Sequence, residues 1–256
     1  MARECGFELA GIAAAGPVPE SAHYHAWVAR NMAGGMRFLT GHRAALRDDA
    51  RLLLPSARSV ISVGKLYNTG PSPDGVSRHA RGRDYHAVVR AGLEKLAARL
   101  REESGPFEYK ACVDTAPLLE RALARRAGLG WLGKNTCLIN QPLGSWFVLG
   151  ELITSLDLAP GEPPPDRCGT CTRCIEACPT QALVQMDGRW VVDARRCIAY
   201  LTIEHRSPIP EELQPFLAAG AYGCDLCQEV CPWNRRAPVT EDPAFAPLDA
   251  PVRRRG

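Results

Sequence analysis

Residues 168–179 have the sequence CGTCTRCIEACP, and this stretch decides what the second part of the chain can be. The spacing C-x2-C-x2-C-x3-C-P is an iron–sulfur arrangement in which three thiolates hold one [4Fe–4S] cluster and the fourth, before proline, crosses to a second. A shorter run, CDLCQEVCP at 224–232, repeats the pattern, and Cys197 lies between the two runs. The chain therefore offers eight thiolates at suitable positions, the number that two such clusters require.

The spacing also predicts which thiolates share a cluster. The Cys-Pro cysteine of each run crosses over, so Cys231 completes the first cluster and Cys178 joins the second. Cys197 then supplies the ligand that the second cluster still lacks. The two predicted ligand sets are Cys168, Cys171, Cys174 and Cys231, and Cys178, Cys197, Cys224 and Cys227.

Two other uses of the cysteines fit the sequence less well. Structural zinc sites favour pairs of Cys-x2-Cys separated by a loop and have no use for the fourth Cys-Pro. A disulfide framework is typical of small exported chains, whereas this chain has 256 residues.

Composition indicates an ordinary globular protein. With 46% hydrophobic and 23% charged residues, the chain can bury a core and is expected to divide into one large and one small domain. Residues 1–7 lack the basic start and apolar run of a signal peptide, and the apolar stretch 145–158 is too short to span a bilayer. Together with eleven cysteines, this predicts a cytoplasmic protein with no membrane partner.

A proline-rich linker at 161–166, GEPPPD, precedes the first cluster cysteine. We expect an α/β (α+β) domain at 1–160, a bacterial ferredoxin-like two-cluster domain at 167–236 and a tail at 237–256. Within the second domain, Asp187-Gly188 between two apolar runs predicts a β-hairpin.

Hydrophobic periodicity predicts alternating strands and helices before the linker. Residues 59–64 and 108–113 are predicted strands, and residues 85–103 are a predicted helix. A second helix is predicted from Pro117, in its first turn, to Gly128. Residues 136–139 and 146–153 are predicted to pair as two strands joined by a turn.

Four segments together closely resemble epoxyqueuosine reductase. They are VDTAPLLER at 113–121, AGLGWLGKNT at 127–136, RRCIAYLTIE at 195–204 and YGCDLCQEVCPWN at 222–234. The resemblance covers the chain from about Arg47 to Asn234. It implies a cobalamin-dependent enzyme with two [4Fe–4S] clusters that reduces epoxyqueuosine to queuosine at the wobble position of tRNA, the last step of queuosine synthesis. It also implies an external low-potential electron donor and an N-terminal cobalamin fold similar to that of reductive dehalogenases.

Asp114 aligns with the proton donor proposed for this family. Reductive cleavage of the epoxide needs two electrons and a proton delivered in the site, which an acid can supply. The alternative is structural, because a carboxylate between a strand and a helix is often an N-cap.

The resemblance implies further residues near the cobalamin, namely Arg47, Lys134, Asn135, Ala199 and Asp225. Each has a structural alternative: a surface arginine, a polar turn, or a loop residue beside a cluster ligand. Gly130 and Gly133 are small enough to let the backbone approach a ligand closely. His79, His86 and His205 are interpreted as structural, since the resemblance implies no histidine on the metal.

The net charge of +3 gives no general signal for a polyanion partner, but the arginines leave room for a basic face. They are Arg121, Arg125, Arg126, Arg195, Arg196, Arg235, Arg236 and Arg253 to Arg255. The chain ends sooner after the second cluster than relatives usually do, so a short member or a fragment is expected. Two other functions remain open: a plain two-cluster electron carrier, and a corrinoid enzyme like the reductive dehalogenases.

Overall fold

A four-stranded sheet lies at the centre of the first 160 residues. The computed structural model describes residues 1–71, 75–218 and 221–248, so the last eight residues of the expected tail, with Arg253 to Arg255, lie outside the described residues. The strands are β1 Leu9–Ala14, β2 Ser59–Leu66, β3 Tyr109–Cys112, β4 Trp131–Leu132, β5 Leu138–Ile139, β6 Phe147–Thr154, β7 Leu183–Met186 and β8 Arg189–Val192.

The α-helices are short except for one. They are α1 Ser21–Ala29, α2 Arg37–Thr40, α3 Tyr85–Ser104, α4 Glu120–Arg126, α5 Arg173–Glu176, α6 Ile198–Ile203 and α7 Leu226–Glu229. Turns of 3-10 helix cover Arg3–Cys5, Ala44–Asp48, Ala50–Leu52, Arg78–Ala80, Ala194–Arg196, Glu211–Phe216, Pro232–Asn234 and Pro243–Phe245. Among the described residues, no helix has the length and apolar character needed to cross a bilayer.

The central sheet has the order β1-β2-β6-β3, with each neighbouring pair antiparallel. Helix α3 covers one face and α4 covers the other, so β2 is buried along its whole length. Alternate residues of β6 enter the two cores: Leu152 packs on the α3 side and Ile153 on the α4 side. Glu151 points the same way as Ile153, so a carboxyl group enters the α4-side core. The expected mixed α/β (α+β) class is confirmed.

Helix α3 forms as its periodicity predicts. Val89, Leu93 and Leu96 are buried along one stripe, and each stabilises the fold by roughly 1.5–3 kcal/mol. The side chain of Asp84 caps the helix by accepting a hydrogen bond from the amide of His86 at 2.9 Å. This cap places His86 at the start of the helix, next to the end of β3.

Helix α4 begins later than predicted. Residues 114–119 form an irregular loop and α4 starts at Glu120, so Pro117 lies outside the first turn. The reason is the backbone of Asp114, whose φ of +50° belongs to the left-handed region and turns the chain away from a helical path.

The predicted strand pair at 136–139 and 146–153 is also wrong. The first strand, β5, pairs with β4, whereas β6 pairs with β2 and β3 in the central sheet. The long apolar strand β6 gains more from burial on both faces than from a two-stranded hairpin, and only the bridge between Asn140 and Gly144 joins the two segments.

The second part of the chain carries the cysteine runs and packs on the first. Its hairpin, β7 and β8, is confirmed, and Asp187 and Gly188 have φ values of +50° and +76°, as a two-residue turn of type I′ requires. Short helices α5 and α7 lie within the cysteine runs and contact each other. The ring of Trp233 lies edge-on to Trp131 at 5.1 Å, which joins the cysteine region to the β4–β5 hairpin.

Candidate cluster sites and active site

Most of the cluster cysteines lie near enough to one another to affect each other's pKa, although no three of them in the described part of the chain are already arranged as metal ligands. Burial raises the pKa of the Cys231 thiol, and the nearby thiols of Cys168 and Cys171 raise it further. Burial also raises the pKa of Cys174 to about 11, with contributions from Cys227, Cys231 and Cys168. Four of these five cysteines are the first predicted ligand set, and Cys227 belongs to the second.

The second predicted ligand set shows the same effect. Burial raises the pKa of Cys197, and the thiols of Cys227 and Cys178 add to the effect. Burial raises the pKa of Cys224 to about 11, with Cys227 and Cys197 as neighbours. Thiolates that repel one another in this way suit a cationic iron core, because the metal stabilises their deprotonated form. The residues present therefore fit two clusters, although ligation of each cysteine stays a prediction.

Lys134 and Asn135 connect the first part of the chain to both cluster loops. The Nζ of Lys134 donates to the carbonyl oxygens of Gly169 at 2.7 Å and Cys171 at 3.0 Å. The buried side chain of Asn135 donates to the carbonyl of Cys227 at 3.1 Å. Each of these residues therefore holds one of the two cysteine runs in place.

Asp114 follows β3 with its side chain 56% exposed and in contact with a histidine. The Nε2 of His86 lies 3.1 Å from Asp114 Oδ2, and its Nδ1 lies 2.6 Å from Asp84 Oδ1. Burial lowers the pKa of His86, but the hydrogen bonds to Asp84 and Asp114 outweigh it, so the pKa is raised. The imidazolium form is thus stabilised between two carboxylates.

Asp225 lies in reach of the same site. Its Oδ2 accepts a hydrogen bond from the amide of Arg78 at 2.9 Å, and its Oδ1 accepts one from the hydroxyl of Ser77. Burial lowers the pKa of His79, while the charges of Asp225 and Asp114 both oppose that change. His79 is therefore close enough to both aspartates for their charges to affect its pKa, and Asp225 itself follows the cluster cysteine Cys224.

The other expected cofactor residues are spread around this centre. Arg47 is only 5% exposed, with its guanidinium 5.7 Å from the ring centroid of Tyr24, so it is not a surface arginine. Ala199 lies in the first turn of α6, two residues after Cys197.

Gly130 and Gly133 serve the β4–β5 hairpin itself. A Cβ at Gly130 would lie 2.2 Å from the carbonyl oxygen of Ile139, and one at Gly133 would lie 2.5 Å from the Ile139 side chain. The small size of both glycines is therefore required by close packing within the protein.

Sequence analysis named His86 but interpreted it as structural, and it missed other residues around Asp114. Asp84 carries no motif of its own, and its position at the start of α3 is the one local signal. The carboxyl of Glu120, which accepts the Asp114 amide hydrogen at 2.6 Å, and the buried Glu151 were also missed. Cys137, outside the eight, lies within hydrogen-bond reach of the Cys227 thiol.

Two family models match the chain. One is described as "Epoxyqueuosine reductase QueG, DUF1730" and covers residues 47–115; the other is described as a 4Fe-4S double cluster binding domain and covers residues 167–234. The second match confirms the prediction of two [4Fe–4S] clusters.

Curated and solved relatives cover nearly the whole chain. The epoxyqueuosine reductase of Xanthomonas campestris pv. campestris is 45% identical over 96% of this chain and 71% of its own length. A crystal structure of epoxyqueuosine reductase with a tRNA-Tyr epoxyqueuosine-modified stem loop matches with a TM-score of 0.84 and 31% identity, over 96% of this chain and 67% of that one. The Bacillus subtilis enzyme, solved with its catalytic aspartate loop swung out of the active site, matches with a TM-score of 0.85 and 30% identity over the same shares.

A more distant likeness extends to the reductive dehalogenase NpRdhA. It has a TM-score of 0.55 and 14% identity over 92% of this chain and 31% of that one, which shows a shared fold. The close relatives decide the family. Their sequences and folds match almost the whole of this chain, which also carries an acidic loop and two runs of cysteines. The chain therefore belongs to the epoxyqueuosine reductase family.

Proposed function

We propose that the protein reduces epoxyqueuosine to queuosine at the wobble position of tRNA, the last step of queuosine biosynthesis. The observation that carries the proposal is the row Asp84, His86 and Asp114, in which both carboxylates are exposed and Asp114, together with Asp225, affects the pKa of His79. An exposed acid with a cationic histidine behind it and redox groups beside it suits a reduction that also consumes protons.

The reaction requires electrons and protons in equal number. Removing the epoxide oxygen to leave a carbon–carbon double bond takes up two electrons and two protons and releases water. Cobalamin would supply the reduced cobalt centre, and the two clusters would relay the electrons to it from an external low-potential donor.

The protein's own residues manage the proton. Asp114, at one exposed end of the row, donates to the departing oxygen. His86, held as imidazolium by Asp84, is placed to return a proton to Asp114 at its Oδ2. Tyr85, against the same carboxylates, is kept neutral because burial and the charges of Asp114 and Glu120 raise its pKa.

Asp114 and Asp225, whose charges both affect the pKa of His79, are proposed to hold the cobalamin. Lys134 and Asn135 contribute by fixing the cluster loops at that face, and Arg47 and Ala199 complete the proposed set. Residues 1–160 form the proposed cobalamin domain, 167–236 the two-cluster domain and 237–256 the tail.

Substrate tRNA is proposed to approach over Arg235 and Arg236. Both side chains are exposed, and they directly follow the second cysteine run. By contrast, Arg195 is paired with Asp193, and Arg121 donates to the carbonyl of Thr136 at 2.6 Å. Because its proposed substrate is a tRNA, the protein is proposed to act in the cytoplasm.

The proposal is tested with anaerobically reconstituted protein. Absorption spectra with and without added cobalamin report corrinoid binding, and a tRNA stem loop carrying epoxyqueuosine reports single-turnover reduction. Corrinoid binding together with formation of queuosine is the expected result. A protein that holds both clusters but neither binds cobalamin nor consumes the stem loop would be an electron carrier, and the proposal would be wrong.

A further inference from the structure

Two glutamates lie directly beneath the Asp114 loop. Glu151, in the middle of β6, is completely buried and stands opposite Cys112 of β3 and Ser62 of β2 in the strand register. Glu120, the first residue of α4, accepts the backbone N–H of Asp114 at 2.6 Å through Oε1. This short bond connects the two glutamates to the loop.

The two carboxyls meet in an environment that supplies few hydrogen-bond donors. Neither oxygen of Glu151 has a hydrogen-bond partner among the described residues, and the group that interacts with it most closely is the Glu120 carboxyl. Two ionised carboxylates can only accept hydrogen bonds, whereas one protonated carboxyl donates to the other. The contact is therefore satisfied when the pair holds one proton.

The charges around the pair determine which glutamate is protonated. Burial raises the pKa of Glu151 well above its usual range, and the charge of Glu120 adds to this effect. Burial and the charge of Asp114 raise the pKa of Glu120 to about 7, against the opposing effects of the Asp114 amide and Arg121. The other facing groups do not reverse this order: burial raises the pKa of the Cys112 thiol to about 12, and burial also raises that of Tyr85 on α3.

We propose that Glu120 and Glu151 are positioning residues that share one proton and hold the Asp114 loop against the active site. Protonated Glu151 donates to ionised Glu120, which in turn accepts the Asp114 amide. The left-handed backbone of Asp114 costs energy of its own, so the loop needs such a bond to stay in place. In the Bacillus subtilis relative described above, the catalytic aspartate loop is swung out of the active site.

Glu120 and Glu151 together are called the latch of the Asp114 loop. The strength of this latch depends on pH in a defined direction. Below about pH 7 Glu120 gains a proton, and its hydrogen bond from the Asp114 amide becomes a weaker, neutral one. As pH rises through that value Glu120 ionises while Glu151 keeps its proton, and the repulsion between the Glu120 and Asp114 carboxylates outweighs the stronger bond to the Asp114 amide. We therefore expect the loop to be held less firmly at pH 8 than at pH 6.

Hydrogen exchange at the Asp114 amide measures the latch in the cluster-loaded protein without any substrate. After correction for intrinsic rates, protection of the peptide that contains Asp114 should fall several-fold from pH 6 to pH 8. Glu120→Gln should not show that fall, because glutamine keeps a neutral acceptor for the amide and does not ionise. The matched control is Glu103→Gln, on the exposed end of α3, which should match wild type.

Two changes at Glu151 test the shared proton. Glu151→Gln keeps a donor toward Glu120 and should retain wild-type protection, whereas Glu151→Leu removes the donor and should lower it. Iron content and thermal midpoint show which variants fold, and the Glu120→Gln and Glu151→Gln pair decides the matter even without the leucine variant. A fall in Glu120→Gln equal to that of wild type would overturn the latch, and a loss of protection in Glu151→Gln would overturn the shared proton.

The inference rests on the proposed role of Asp114 only for its link to catalysis. If the protein reduces epoxyqueuosine, Glu120→Gln should change the dependence of kcat on pH between pH 6 and pH 8 with little change in KM, since the loop and not the tRNA surface is affected. If turnover fails in wild type while the exchange pattern holds, the latch stands and the proposed function does not.

Discussion

Replacing Glu120 by Gln should change how the stability of the folded protein depends on pH. The folded-state pKa of Glu120 is raised from 4.5 to about 7 by burial and by the charge of Asp114. An acid with a raised folded-state pKa stabilises the fold below its unfolded value, and that contribution is lost as pH rises through the folded value. At about 1.4 kcal/mol per pKa unit, wild type should lose about 3 kcal/mol between pH 4.5 and pH 7 from this group.

Glutamine cannot ionise, so the variant should not show this loss. The free energy of unfolding of Glu120→Gln, relative to wild type, should therefore increase from pH 5.5 to pH 8, and the difference in Tm should widen by several degrees. Anaerobic thermal melts of protein with equal iron content measure it, with Glu103→Gln as the exposed control. Parallel pH curves for wild type and Glu120→Gln would show that Glu120 titrates as an ordinary surface glutamate, against the reasoning from its burial.

Three further predictions concern the chemistry and the substrate. Asp114→Asn keeps the size of the side chain but removes the acid, so single-turnover reduction should fall by roughly 10²-fold with little change in Tm. The control, Asp157→Asn at an exposed site, should leave turnover intact. Near-normal turnover in Asp114→Asn would return Asp114 to a structural role. Cys197→Ala should lose one cluster and keep the other, lowering iron from about eight to about four atoms per chain, and full iron content would refute its assignment as a ligand. Replacing both Arg235 and Arg236 by Glu should weaken stem-loop binding and reduce its dependence on salt without altering iron content. An affinity that changes neither with this replacement nor with salt would show that the two arginines do not contact the RNA.

Local patterns predicted the parts of the fold that local forces decide. The hairpin at Asp187-Gly188 follows from turn geometry alone, and helix α3 follows from its apolar stripe. The eight cysteines could be found because cluster ligation imposes a spacing on the chain.

Long-range contacts account for what the sequence did not reveal. Strand β6 pairs with β2 and β3 because this position buries both of its faces. The residues of β6 alone do not indicate which strands it pairs with. The start of α4 was misplaced because the left-handed Asp114 comes from a bond to Glu120, six residues later. His86 and Glu151 reach the Asp114 site only through the packing of α3 and the sheet, so a single sequence gives no sign of their partnership.

The contacts of Lys134 and Asn135 bear on how the protein is made. Both residues precede every cluster cysteine in the chain, and their side chains bind the carbonyls of Cys171 and Cys227. During synthesis the N-terminal part leaves the ribosome first and folds first. If the hairpin that carries these two side chains folds before the cysteine runs emerge, its contacts would position both loops before iron is delivered.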